Sequence, residues 1–335
     1  MHKILLIICF IGTFCNAEPI ISDITESQCW FAGGEVKNVF SISGIETESL
    51  SGQWRLSVAN HTVARGEKAL NMANGIVPFN ISFTLPEINP GIIVDLMLDL
   101  SVVDVDSGNK LVTTNKIIKS FSQDAFVDRD EWLKSIDIVL FDPEKTTSDL
   151  FDNLEIPYSF TKNTDALTEV DHGIVIVGEG VSLNENKGLW NVLVDVALRN
   201  IPVLCLALRE GEMRIPGVGI TEKSAKLSML AFKRYQAITD LNKILDRQSW
   251  CGERMVASQS IIFKAERGQI IASVEKGCNN WLWLEQSFEG ADTKLVLCQF
   301  QIIKNWKRSP VPQYLLLNIL ENMCQKRVLS ADYAD

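Results

Sequence analysis

A thiol or hydroxyl nucleophile needs a base beside it, and the histidines decide whether this chain can supply one. There are three: His2, His61 and His172. The cysteine best placed for chemistry is Cys205, in the apolar run 203–208, with bulky leucines on both sides and no Gly-x-Cys-x-Gly turn to lift it out of a sheet. No histidine follows it. His2 belongs to a leader, and His61 to a β-rich front half. His172 precedes a strand, which places it at the amino edge of a parallel sheet, opposite the edge where open α/β sheets bind ligands. A Cys–His nucleophile and a Ser–His–Asp triad are both excluded on this reading, and no catalytic residue is expected.

The remaining chemistry-bearing groups are carboxylates, one arginine and a tryptophan pair. Gly178-Glu179-Gly180 closes a strand, and Asp142 and the Arg209-Glu210-Gly211 turn fall on the same carboxyl edge of the expected sheet. Asp142, Glu179 and Glu210 could form a cluster for acid/base work on a glycosidic bond, or for a divalent ion. The commoner role of such acids is to cap helices, while the glycines supply tight turns. A negative charge between the glycines argues against a phosphate cradle. Trp281 and Trp283 alternate with Asn280 and Leu282, so a strand there presents both indoles on one face. That suits a sugar platform, although core packing is the commoner fate of paired tryptophans; Trp30 and Trp54 carry the same ambiguity. Asp142, Glu179, Arg209, Glu210, Trp281 and Trp283 are therefore the candidate ligand-binding residues. No metal or cofactor is expected, because no CxxC or Cys/His spacing occurs.

The elements that must position these groups change character along the chain. Residues 18–121 carry short alternating runs (Val36, Phe40 and Ile42; Trp54, Leu56 and Val58; Phe79, Ile81 and Phe83) separated by Gly, Asn and Pro turns. Period-2 strands at such spacing predict an antiparallel, immunoglobulin-like β-sandwich. Residues 122–135 form a linker whose Phe126 and Trp132 predict that it packs against something. From residue 136 to 326, continuous apolar strands at 136–141, 156–160, 173–177, 203–208 and 294–301 alternate with helical patterns. The pattern predicts a three-layer, doubly wound parallel α/β sheet. Thr146 or Thr147 is expected to cap the first helix. The stretch 222–246 reads as helix or insertion, 260–274 as a hairpin, and 310–323 as a buried helix, before a tail at 327–335.

The chain begins with Lys3 and an apolar run from Ile4 that ends at Cys15-Asn16-Ala17. The run is shorter than the about 20 residues that span a bilayer, and so predicts a signal peptide cleaved near Ala17. No transmembrane segment is expected after it, and the address is secreted or periplasmic. A formal charge of −10 argues against a nucleic-acid partner. Cys205 and Cys298 lie in apolar runs that suit buried thiols, leaving disulfides open among Cys251, Cys278 and Cys29. Asn60-His61-Thr62 and Asn80-Ile81-Ser82 are glycosylation sequons.

Two resemblances follow from these residues. The front half resembles the β-sandwich modules that accompany glycoside hydrolase family 2 catalytic domains, through Gly52-Gln53-Trp54-Arg55-Leu56, Val63-Ala64-Arg65-Gly66-Glu67, and Leu85-Pro86 before Pro90-Gly91. The back half resembles non-catalytic versions of the class I glutamine amidotransferase-like, flavodoxin-like fold, through 173–180, 202–207, Leu295-Val296-Leu297-Cys298, Trp306 and 310–317. Together they imply an exported, non-catalytic binding or interaction protein associated with carbohydrate processing, whose partner is a carbohydrate or an envelope protein. The alternative is a glycan-directed hydrolase using the strand-end carboxylates. The chain has no room for the (β/α)8 barrel of family 2 enzymes, about 250 residues.

Overall fold

The computed structural model describes residues 18–72, 75–215, 227–250, 260–265, 268–275, 278–279 and 281–324. The leader at 1–17, Cys251, Arg267, the start of the 222–246 stretch and the 327–335 tail lie outside them, as does the Cys278 side chain. The chain divides into two compact units that interleave in sequence. One takes the described part of Met1–Glu26 with Gly33–Pro86 and Asp95–Ile118; the other takes Ser27–Ala32, Glu87–Val94 and the described part of Lys119–Asp335.

The strands of the front half run β1 (Ile20–Asp23), β2 (Cys29–Phe31), β3 (Glu35–Ser43), β4 (Leu50–Val58), β5 (His61–Leu70), β6 (Val77–Thr84), β7 (Ile93–Asp104) and β8 (Lys110–Phe121). In the first unit, antiparallel β1-β3-β6 and the order β8-β7-β4-β5 make two sheets of a sandwich with an immunoglobulin-like strand order. Strict alternation explains it: Val36, Phe40, Ile42, Val77, Phe79 and Ile81 are buried, while their neighbours along the strands point outward. Lys116 is buried and ion-paired to Asp23 at 2.6 Å, with the Asn38 side-chain oxygen accepting from its Nζ at 3.1 Å. Such pairing offsets the cost of burying the charge. Trp54 fills the inner face, its ring 5.3 Å from that of Phe83. On β5 the indole lies over Gly66, where an added Cβ would meet Trp54 Nε1 at 2.6 Å. Asn60 and Asn80 are exposed.

In the second unit, β2 runs parallel to residues 119–121 at the end of β8. The chain continues through α1 (Asp130–Ser135), β9 (Ile138–Phe141), α2 (Thr146–Asn153), β10 (Ser159–Thr161), β11 (Ile174–Val177), α3 (Leu189–Leu198) and β12 (Val203–Cys205). After these come β13 (Glu210–Ile215), β14 (Leu227–Lys233), α4 (Gln236–Leu241), β15 (Ser260–Ala265), β16 (Ile270–Glu275), β17 (Cys278–Asn279), β18 (Trp283–Phe288), β19 (Lys294–Cys298) and α5 (Pro310–Cys324). The residues at 122–135 pack within this unit, with Phe126 stacked on Trp306 at 6.1 Å.

The doubly wound, amidotransferase-like α/β domain is not what forms. The seven-stranded sheet, ordered β10-β9-β11-β12-β19-β18-β14, is mixed, and a separate four-stranded sheet, β13-β15-β16-β17, stands beside it in the sequence. Strand makes up 43% of the described residues against 20% helix. Five neighbours from β10 to β19 are parallel, but β18 pairs antiparallel with both β19 and β14. The cause is the short connection between β18 and β19, residues 289–293. A parallel return needs a crossover of a dozen or more residues, usually a helix, and a connection this short permits only an antiparallel hairpin. Between β12 and β19 the described residues supply one six-residue α-helix, α4; there β15 and β16 pair antiparallel while β13 pairs parallel with β15. The 222–246 stretch accordingly contributes β14 and α4, an edge strand and a short helix.

Candidate functional site

At the carboxyl edge of the parallel strands, Asp142 follows β9 with no exposed surface. Its Oδ2 accepts the backbone N–H groups of Thr147 and Ser148, both at 2.8 Å, in the first turn of α2. Asp142, not Thr146 or Thr147, caps that helix. The Thr147 hydroxyl instead accepts the Glu179 N–H at 2.8 Å, and the Thr146 hydroxyl donates to the Glu179 carbonyl. Gly178 permits this approach, since a Cβ there would lie 2.4 Å from Asp142 Oδ1.

The Glu179 carboxylate turns away onto the loop before α5. Its oxygens accept the N–H groups of Ile303 at 2.8 Å and Lys304 at 3.2 Å. Burial pushes its pKa up to about 7, against the opposing pull of those two N–H donors and the Lys304 charge. Glu210 accepts the Ser182 hydroxyl at 3.0 Å, and Arg209 reaches Glu185 at 2.8 Å and Glu210 at 3.8 Å. Each of the three carboxylates thus serves a different element, and the side chains do not form a common acid/base pair. Only Asp142 meets a helix end; Glu179 holds the loop at 303–304, and Glu210 accepts a serine hydroxyl.

Cys205 ends β12 rather than lying in mid-strand, because the strand stops where Leu206 to Leu208 begin a buried loop. Its thiol is fully buried, and desolvation raises its pKa far above the ordinary range; the Cys298 thiol behaves alike. His172 is exposed at the opposite, amino end of β11, held by Asp171 and by Asp137 at 3.4 Å. The Cys29 thiol donates to the Ile244 carbonyl at 3.4 Å.

The tryptophan pair separates. Trp281 precedes β18 and is enclosed by aromatic rings, with Phe263 at 5.0 Å and Phe232 at 6.0 Å. Trp283 opens β18 and borders a cavity of about 540 Å³, within the size range of small-ligand pockets. The cavity lies among β18, β19, α4, α5 and the loops before β12 and β19. Leu241, Val296, Ile319 and Met323 give it apolar walls; Asn200, Glu285, Thr293, Lys294 and Asn322 bring polar groups to it. Two residues beyond Trp283 on the same face of β18, Glu285 accepts the Trp283 indole N–H at 3.0 Å and Lys294 Nζ at 2.7 Å, with Lys233 Nζ at 3.4 Å. Burial alone would raise its pKa. Lys294, the indole N–H and Lys233 outweigh that and hold it below the usual value, so the carboxylate is ionised and acts as an acceptor.

Of the candidates named from the sequence, only Trp283 borders this cavity. Glu285 was legible, since it shares a strand face with Trp283 at a spacing of two. Lys233, Lys294 and Asn322 reach the site through sheet register and helix packing, which carry no local signal.

No protein-family profile and no curated protein matches the chain. Among solved structures, the sporulation control protein Spo0M from Bacillus subtilis is 14% identical over 36% of this chain, which spans 55% of that one, at a TM-score of 0.26. A Parabacteroides merdae β-glucuronidase is 9% identical over 61% of this chain and 26% of its own, at 0.22. Fibronectin(III)-like modules of Clostridium thermocellum CbhA are 8% identical over 31% of this chain and 96% of theirs, at 0.19. Likenesses at this level establish neither a family nor an activity. No helix among the described residues is long and apolar enough to cross a membrane.

Proposed function

We propose that this chain is an exported, non-catalytic binding protein associated with carbohydrate processing, and that the cavity beside Trp283 and Glu285 takes a small hydroxyl-rich ligand of saccharide type. The observation that carries the reading is the pairing of apolar walls with an ionised, half-buried carboxylate flanked by lysine and asparagine side chains. Sugars present this combination: hydroxyls for Glu285, Lys294 and Asn322, and C–H faces for Leu241 and Ile319. A carboxylate held ionised is an acceptor and a poor general acid. Export rests on the leader read at 1–17.

Titration calorimetry of the mature protein, against ligands chosen from a glycan array, tests this. Binding of a mono- or disaccharide is expected, with Glu285→Gln weakening it about tenfold or more through loss of a charged hydrogen-bond acceptor. If no saccharide binds, or if Glu285→Gln binds as well as the wild type while folding normally, the reading fails.

A further inference from the structure

The outward face of the sandwich sheet carries a charge arrangement that folding alone disfavours. Across β5, β4 and β7, one outward row reads Arg65, Arg55, Asp99, and the next reads Glu67, Gln53, Ser101. Arg55 and Arg65 are direct cross-strand partners, and like charges set opposite each other destabilise a sheet. Asp99 answers only one of them, accepting from Arg55 Nε at 3.2 Å and Nη2 at 2.8 Å. Glu67 is engaged elsewhere, by the Ser51 hydroxyl at 2.6 Å and the Gln53 amide at 3.3 Å. Arg65 therefore has no carboxylate partner among the described residues, and neither does Lys110 on β8. Both line a surface cavity of about 920 Å³, in a chain whose formal charge is −10.

We infer that this face is a second binding site, separate from the Trp283 cavity, for a saccharide that bears carboxylate groups. The Arg65 guanidinium is the fork for a carboxylate, a geometry that pairs two N–H donors with two oxygens. Lys110 supplies a second positive charge, and Gln53, Ser101 and Asn115 supply donors and acceptors for hydroxyls. The two rows that border the cavity are polar or charged, with no exposed aromatic side chain of the kind that anchors protein interfaces. Arg65, set opposite Arg55 and without a carboxylate of its own, is then the destabilising feature that a binding site retains.

The test uses the mature protein with trigalacturonate, its methyl ester and a hexaglutamate peptide, read by calorimetry at low and moderate salt. Arg65→Gln and, as a control that removes a positive charge outside both cavities, Lys37→Gln are compared with wild type. Trigalacturonate is expected to bind, with the methyl ester and Arg65→Gln each weaker by about tenfold or more, and Lys37→Gln unchanged. Arg65→Gln should melt at the wild-type temperature or higher, because it relieves the cross-strand repulsion; that separates loss of the site from loss of the fold. Absence of trigalacturonate binding, equal binding by Arg65→Gln, or hexaglutamate binding as tightly as the sugar would each overturn the inference.

Discussion

At the scale of single residues, Glu179 is the most informative side chain. Its folded pKa of about 7 stands above the usual 4.5, so between these values the native state holds more proton than the unfolded chain. Stability from this group is complete below pH 4.5 and is lost as the pH rises toward 7, by on the order of 3 kcal/mol at most. A melting series from pH 4.5 to 7.5 should show that decline. Glu179→Gln should flatten it, at the cost of one hydrogen bond, because an amide turns a donor toward the Ile303 and Lys304 N–H groups. A carboxyl group titrating near neutrality resembles a catalytic acid, but both its oxygens are occupied by backbone. The environment that raises the pKa also removes the group from chemistry, and only the partners on the loop at 303–304 reveal it.

At the scale of elements, the junction of β9, α2 and β11 is held by one carboxylate and one glycine. Asp142 satisfies two N–H groups that the first turn of α2 would otherwise leave without partners. Gly178 leaves the space in which Asp142 sits. Gly178→Ala should push Asp142 off the helix end and cost about 1–3 kcal/mol by overpacking, measured by chemical denaturation. Gly180→Ala is the useful contrast: no atom lies within 4 Å of an added Cβ, although its φ of +93° makes the backbone itself resist. The sequence suggested a capping acid at this edge and a capping threonine on the helix, and only the first is built. Both residue types cap equally well in isolation; the direction in which β9 delivers the chain to α2 chooses between them.

At the scale of the whole molecule, the interleaving of the units in sequence has a measurable consequence. The second unit includes β2, whose flanking Ser27 hydroxyl donates to Asp246 at 2.8 Å, and residues 87–94, whose Ile92 carbonyl accepts the Ser122 N–H at 3.2 Å. A fragment of residues 122–335 lacks both. It should melt several degrees below the intact chain when followed by far-ultraviolet circular dichroism near 222 nm, a helical signal that comes from this unit among the described residues. What the sequence by itself determined is periodic or compositional. Alternation in the runs around Val36, Trp54 and Phe79 specifies two-faced strands, because side chains on a strand repeat every two residues. The continuous apolar run 174–177 specifies a strand buried on both faces. The places of His61 and His172 leave Cys205 without a following imidazole. The tertiary structure decided which strands turn antiparallel beyond β19, since direction depends on what connects them and not on their composition. It also decided that Trp281 is enclosed while Trp283 borders a cavity, since that cavity is bounded by residues from 200 to 323 whose meeting is set by register and packing at long range.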